Sequence, residues 1–261
     1  MPQLKVGIHL TCLKRPLRQA LVLARQLGAD AVELDGRGEL RPGNLSQTGL
    51  RQLRKELDDL NLRVCAVGFH TRRGYGVAED LEPRIEATRQ AMQFAYKLGA
   101  GLVINHVGSI PPESSGPEWD LLAESLAELG RYGHHVGALL AAETGSESGA
   151  DLARLLAALP TGSLGVDLDP GSLIANGFSP LEAIQHLGPS ILHVHARDAV
   201  RDTSRGRGQE VQLGRGSVDF PALLSALEEH AYRGYFTVLR EGGTDPASDI
   251  GRAVQYLKAL G

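Results

Sequence analysis

Short runs of β-branched and apolar residues alternate along the chain with longer stretches whose apolar positions recur every three or four residues. That change of period, from strand-like to helical, repeats from one end of the sequence to the other. The strand-like runs are VGIHL (6–10), AVELD (31–35), RVCAVGFH (63–70), GLVINHVG (101–108), ALLAAETG (138–145), LGVDLD (164–169), ILHVHARD (191–198) and YFTVLREG (235–242). Between them, PLRQALVLARQLG opens on a proline and closes on a glycine, as helix ends do. TGLRQLRKELDDLNL, RIEATRQAMQFAYKLG, FPALLSALEEHAYRG and DIGRAVQYLKALG carry amphipathic helical spacing. Strands that each lead into a helix imply a parallel sheet covered by helices. Eight such units in about 250 residues predict one (β/α)8 TIM barrel over residues 1–261, with its active site at the C-terminal mouth of the strands.

A doubly wound open sheet is the competing architecture. It requires a glycine-rich phosphate loop after the first strand, and IHLTCLKRP is not one. Two segments read as long mouth loops: VGSIPPESSGPEW (107–119) and the arginine- and glycine-rich stretch 199–217. Loops beyond about 12–15 residues in a compact domain are usually functional or disordered.

Composition narrows the function. Of 261 residues, 27 are Lys or Arg and 31 are Asp or Glu, for a net charge of −4. Such a balance argues against a nucleic-acid partner held by bulk charge. No apolar run approaches the roughly 18 residues of a membrane span. MPQLKVGIHL lacks a signal-peptide pattern, so a cytoplasmic protein is expected. Cys12 and Cys65 could form one disulfide, but a reduced protein suits this reading better.

The chemistry lies in what ends each strand: His9, Glu33, His70, His106, Glu143, Asp169, His195 and Glu241. In a barrel these positions converge on one concave mouth. Charges in apolar strands are costly unless paired or coordinated. Glu143, Asp169, His195 and Glu241 occupy successive strands, the fifth to the eighth. Three carboxylates and an imidazole suit one divalent ion: Mn²⁺, Mg²⁺, Co²⁺ or Zn²⁺. Each residue also has a structural alternative, as a loop bond, a turn cap or a satisfied core histidine.

At these residues the chain resembles the xylose isomerase-like superfamily, in the sugar phosphate isomerase/epimerase group that includes ketose 3-epimerases, hydroxypyruvate isomerases and inosose-processing enzymes. The strings that carry the likeness are AVELD, LAAETG, GVDLDPGS, HVHARDA and LGRGSVDFPALLSALEEHAYRGYFTVLRE. The resemblance implies that Glu143, Asp169, His195 and Glu241 are metal ligands, and that Glu143 and Glu241 also form the acid/base pair. It implies a sugar or sugar phosphate isomerase or epimerase working through a metal-stabilised enediolate on a small carbohydrate, with a homo-oligomer left open. The alternatives are an inosose-type dehydratase, a hydrolase like the family's DNA-repair endonucleases, or a barrel that binds sugar without catalysis.

The departures from the pattern are specific. Where the family places a substrate-touching histidine three residues after the sixth-strand aspartate, this chain has Ser172, which cannot carry a proton at neutral pH as imidazole does. His106, in INHVGS, and His70 resemble two early histidines of the DNA-repair endonucleases. The three-zinc cluster of those enzymes cannot be completed here, because Ser172, Gly208 and Glu210 stand at or near its other ligand places. His70 and His106 are therefore expected to contact substrate or fix a loop, with a hydrogen-bonded structural histidine as the alternative for each, and Ser172 is expected to contact substrate. Arg201, six residues after His195, resembles a substrate-contacting arginine of the ketose epimerases. Arg197, Arg205, Arg207 and Arg215 read as solvated loop residues, and Asp198 as either a partner for an imidazole or a loop hydrogen-bond acceptor.

Overall fold

The computed structural model describes residues 3–202 and 207–261. Eight parallel strands close on themselves: β1 (Lys5–His9), β2 (Ala31–Asp35), β3 (Arg63–Gly68), β4 (Leu102–Asn105), β5 (Leu139–Glu143), β6 (Gly165–Leu168), β7 (Ile191–Ala196) and β10 (Tyr235–Val238). The order around the barrel is β1-β10-β7-β6-β5-β4-β3-β2, so first and last strands meet. Each run read from the sequence as a strand forms one; β2 ends where expected and the others end one to four residues earlier, where the chain turns into the mouth. The fold is a (β/α)8 TIM barrel.

The helices α1 (Leu17–Gln26), α2 (Gln47–Asp59), α3 (Leu81–Lys97), α4 (Pro117–Val136), α5 (Gly149–Ala158), α6 (Pro170–Asn176), α7 (Pro180–Leu187), α8 (Phe220–Glu229) and α9 (Pro246–Leu260) pack outside the strands. Several of their starts follow from side-chain capping: Ser46, Ser148, Ser179, Asp219 and Asp245 each accept a backbone N–H in the first turn. One apolar cluster runs between strands and helices, with Ile8, Leu34, Val103, Leu140, Val166 and Val194 inaccessible to solvent.

The segment after β7 corrects the expectation of a loop over 199–217. Strands β8 (Asp198–Asp202) and β9 (Arg207–Val211) form an antiparallel hairpin, in register from Asp198 opposite Val211 to Asp202 opposite Arg207. Its high charge hides the strand pattern, because the hairpin lies over α6 rather than in the barrel wall and has little apolar surface to bury. Of the arginines expected there, Arg205 lies outside the described residues. The other predicted loop ends three residues earlier than expected, at Gly116, since Pro117 opens α4 at a position where its missing N–H costs nothing.

Two backbone arrangements position the mouth. Asp198 is buried, and its carboxylate accepts N–H groups from Ala199, Gly214, Gly216 and Val218. This resolves its two sequence readings in favour of the loop acceptor. Gly74, after β3, packs against Gly108, after β4, so closely that a Cβ on Gly108 would lie 2.5 Å from the Gly74 Cα. Tyr75 then donates its N–H to the Val107 carbonyl at 2.8 Å. The loops carrying His70 and His106 are thereby locked together.

Candidate active site

Side chains two apart on a strand face the same way. Asp167 on β6 and Asp169 just beyond its end, and His193 and His195 on β7, therefore enter the barrel as two stacked pairs. The lower level is wholly buried. His193 bonds Asp167 through Nδ1 and Thr237 through Nε2, both at 2.7 Å, and Thr237 Oγ1 lies 3.4 Å from Cys65 Sγ. His195 donates Nε2–H to Glu33 Oε2 at 2.7 Å, across the lumen. Its Nδ1 lies 2.6 Å from Asp167 Oδ2 and 3.7 Å from Glu143 Oε1.

Burial pushes both imidazoles toward neutrality, but the carboxylates outweigh it. His193 is raised to about 9 by its bond to Asp167. His195 is held well above its ordinary value by the charges of Asp167 and Glu33. Burial likewise opposes ionisation of Glu33, yet His195 and His9 bring it down to about 2.

At the rim, Glu143 is the meeting point. Its Oε2 lies 2.6 Å from His70 Nε2 and 3.5 Å from His106 Nε2, and the two imidazole rings are 4.9 Å apart. Burial favours the neutral acid, but the nearby His195 and the hydrogen bond to His70 hold Glu143 well below the usual carboxylate range. Burial also acts against the charged form of His70, and the bond to Glu143 reverses this, leaving it raised.

The other rim carboxylates gather on Arg197. Asp169 caps α6, taking the Ser172 N–H on Oδ1 at 2.7 Å, and its Oδ2 meets Arg197 Nη1 at 3.1 Å. Burial raises Asp169 to about 7 despite the guanidinium. Arg197 also bonds Glu241, whose side chain is 72% exposed, and its Nε lies 3.6 Å from Glu210. Glu210 in turn receives the N–H groups of Glu241 and Gly242.

The sequence-derived positions thus fall into groups. Glu143, His195, His70 and His106 are brought together. Asp169 and Glu241 share Arg197 instead of facing Glu143 and His195 directly. Ser172 lies against Gly145, beside the end of β5, and Arg201 packs on Gly177 at the opposite end of α6 from Asp169. Asp167 and His193 escaped the sequence reading, as did the bridging role of Arg197. The repeats D-x-D in GVDLD and H-x-H in HVH were the available signal, since equal parity on neighbouring strands places all four in the lumen.

The donors fit a cation. Glu143, Asp167 and His195 each offer an atom within 4.8 Å of the others, and His70, His106 and Glu143 form a second such group. Asp167 Oδ2 and His195 Nδ1 lie 2.6 Å from each other, whereas Glu33 Oε1, 3.6 Å from His9 Nε2, is buried with no hydrogen-bond partner among the described residues. Buried polar atoms are rarely left so, and a bound ion is one way to satisfy them. Carboxylate and imidazole donors are those a hard-to-borderline divalent ion takes.

A model of the family described as xylose isomerase-like TIM barrel matches residues 21–260. An inosose dehydratase of Clostridium beijerinckii is 26% identical over 241 residues, covering 78% of this chain and 77% of that one. A xylose isomerase domain protein from Planctomyces limnophilus superposes with a TM-score of 0.86 at 24% identity, over 99% of this chain and 98% of its own. An L-ribulose 3-epimerase superposes with a TM-score of 0.80 at 19% identity, over 98% and 94%. No helix among the described residues is long and apolar enough to cross a membrane.

Proposed function

The chain belongs to the xylose isomerase-like TIM barrel family, and from that premise we propose a divalent-metal-dependent enzyme that removes a proton from the carbon beside a carbonyl in a small polyhydroxylated substrate. The observation that carries this reading is the setting of Glu143, an ionised carboxylate between His70, His106 and His195. Glu143, Asp169, His195 and Glu241 are the ligands proposed for the ion, with Asp169 and Glu241 recruited from Arg197. When bound, a divalent ion supplies Lewis-acid polarisation of the substrate carbonyl and acidifies the neighbouring C–H bond.

Glu143 takes the proton. His70, the raised imidazole beside it, holds a proton at Nε2 that can pass to a substrate oxygen. Together with His106 it forms the donor edge of the pocket, and Ser172 gives a smaller wall than an imidazole would. Arg201 is left as an outer contact for a long substrate.

Two outcomes follow from the same first step. If a hydroxyl two carbons from the carbonyl leaves as His70 or His106 protonates it, the reaction is a dehydration. Two histidines beside one base favour that outcome, as does the name of the curated relative. If Glu241 returns the proton from the opposite face, the reaction is epimerisation, and return to the neighbouring carbon gives isomerisation. That second reading is supported by the carboxylates at the ends of β5 and just beyond β10, and it requires Glu241 to part from Arg197.

The test is incubation of Mn²⁺-loaded protein in D₂O with an inosose and a panel of ketoses, read by mass spectrometry. Loss of water identifies the dehydratase, and deuterium gain without loss of water identifies the epimerase or isomerase. Glu143→Gln should slow either about 10²–10⁴-fold. Unchanged turnover in a metal-replete Glu143→Gln protein would remove Glu143 as the base.

A further inference from the structure

We infer that Arg197 is a resident cation of the active site, occupying the space between Asp169 and Glu241 until a divalent ion takes those carboxylates and sends the guanidinium to Glu210. This rests on the metal reading above and adds a competitor within the chain itself.

The argument begins with Asp169. Its side chain has no solvent exposure, and its described charge partner is the Arg197 guanidinium at 3.1 Å. A buried carboxylate stripped of its partner is strongly destabilising unless it takes up a proton, so an ionised Asp169 needs a cation facing it. A divalent ion on both Asp169 and Glu241 would claim the oxygens that Arg197 now holds. A guanidinium and a divalent ion in contact with the same two oxygens repel one another, so the two compete for them.

The exchange has a built destination. Glu210 lies 3.6 Å from Arg197 Nε and is fixed by two backbone N–H groups from Glu241 and Gly242 and by Arg240 at 3.3 Å. Arg197 can therefore give up Asp169 and Glu241 while keeping a carboxylate. Its stem is seated as well: a Cβ on Gly171, in the first turn of α6, would lie 2.7 Å from Arg197 Cγ and 2.9 Å from its carbonyl carbon. The missing Cβ brings the arginine against the helix that Asp169 caps. An arginine suits this role because its planar fork bonds two carboxylates at once, whereas a lysine presents a point charge.

The experiment is Mn²⁺ titration of the full chain by calorimetry, in wild type, Arg197→Gln and Arg197→Lys. Removing the competitor should tighten Mn²⁺ binding at least tenfold in Arg197→Gln, with Arg197→Lys between it and wild type. In chelator, Arg197→Gln should melt at a lower temperature than wild type, because Asp169 is left facing no cation. Saturating Mn²⁺ should abolish that difference. Should Arg197→Gln fold poorly, Arg197→Lys keeps the charge and carries the test. In wild type, the Arg197 Nε–H NMR signal, assigned by its absence from Arg197→Gln, should shift on saturation with diamagnetic Mg²⁺. Equal or weaker binding in both variants would overturn the inference while leaving the metal reading intact. Absence of binding in all three proteins would overturn both. Binding by Arg197→Gln alone would support the competition in its strongest form.

Discussion

Glu33 on β2 and His195 on β7 meet across the barrel lumen, Oε2 to Nε2 at 2.7 Å, both without solvent exposure. They are 162 residues apart in sequence and on strands that are not neighbours. The contact leaves Nδ1 to Asp167 Oδ2, at 2.6 Å, and to Glu143 Oε1, at 3.7 Å. A histidine that ligates a metal usually gives its other nitrogen to a carboxylate, which fixes ring orientation. Glu33 holds that place here.

Truncating Glu33 should therefore be costly before any ligand is considered. Glu33→Ala leaves a buried imidazolium short of one counter-charge, and loss of about 3–5 kcal/mol is expected. Urea unfolding monitored by circular dichroism measures it. A loss under about 1 kcal/mol, the range of an exposed pair, would show that the pair is not a folding determinant.

Asp198 organises the hairpin base and the glycine loop through four accepted N–H groups. Asp198→Ala should destabilise the protein by about 1–3 kcal/mol, because buried donors lose their acceptor. The amides of Gly214, Gly216 and Val218 should exchange with solvent faster than in wild type. Unchanged protection at those three amides would contradict the assignment.

Gly74 and Gly108 hold the His70 and His106 loops in contact. A methyl group on either meets the other's backbone, and Gly108 also has φ of 100°, where a side chain is strained. Gly74→Ala should cost about 1–3 kcal/mol as an overpacking change. The double alanine variant should cost less than the sum of the two, since either one opens the same gap. Strict additivity would mean the loops are not coupled.

Both cysteines are free and buried. Burial pushes the Cys12 thiol up to about 11, so little thiolate forms at pH 8. Native protein should take up no iodoacetamide at pH 8, and unfolded protein should take up two equivalents. Rapid native labelling of Cys12 would indicate an open mouth floor near His9.

The sequence by itself determined the barrel. Eight short β-branched and apolar runs alternating with period-3.6 stretches leave a parallel sheet wrapped by helices as the arrangement that buries every apolar face. It also showed which polar residues end those strands. Those signals are local, because periodicity and helix caps arise from neighbours in the chain. Pairing among the polar side chains was decided only by closure of the barrel. Glu33 meets His195, and Asp167 meets His193, because strand stagger sets their height in the lumen, and no residue's own neighbours encode that height. The bridge from Asp169 through Arg197 to Glu241 has the same origin. A buried carboxylate takes the strongest cation within reach, and reach is a property of the folded mouth. The β8–β9 hairpin was hidden for a related reason: its burial comes from α6, so its charged sequence carries no alternation of its own.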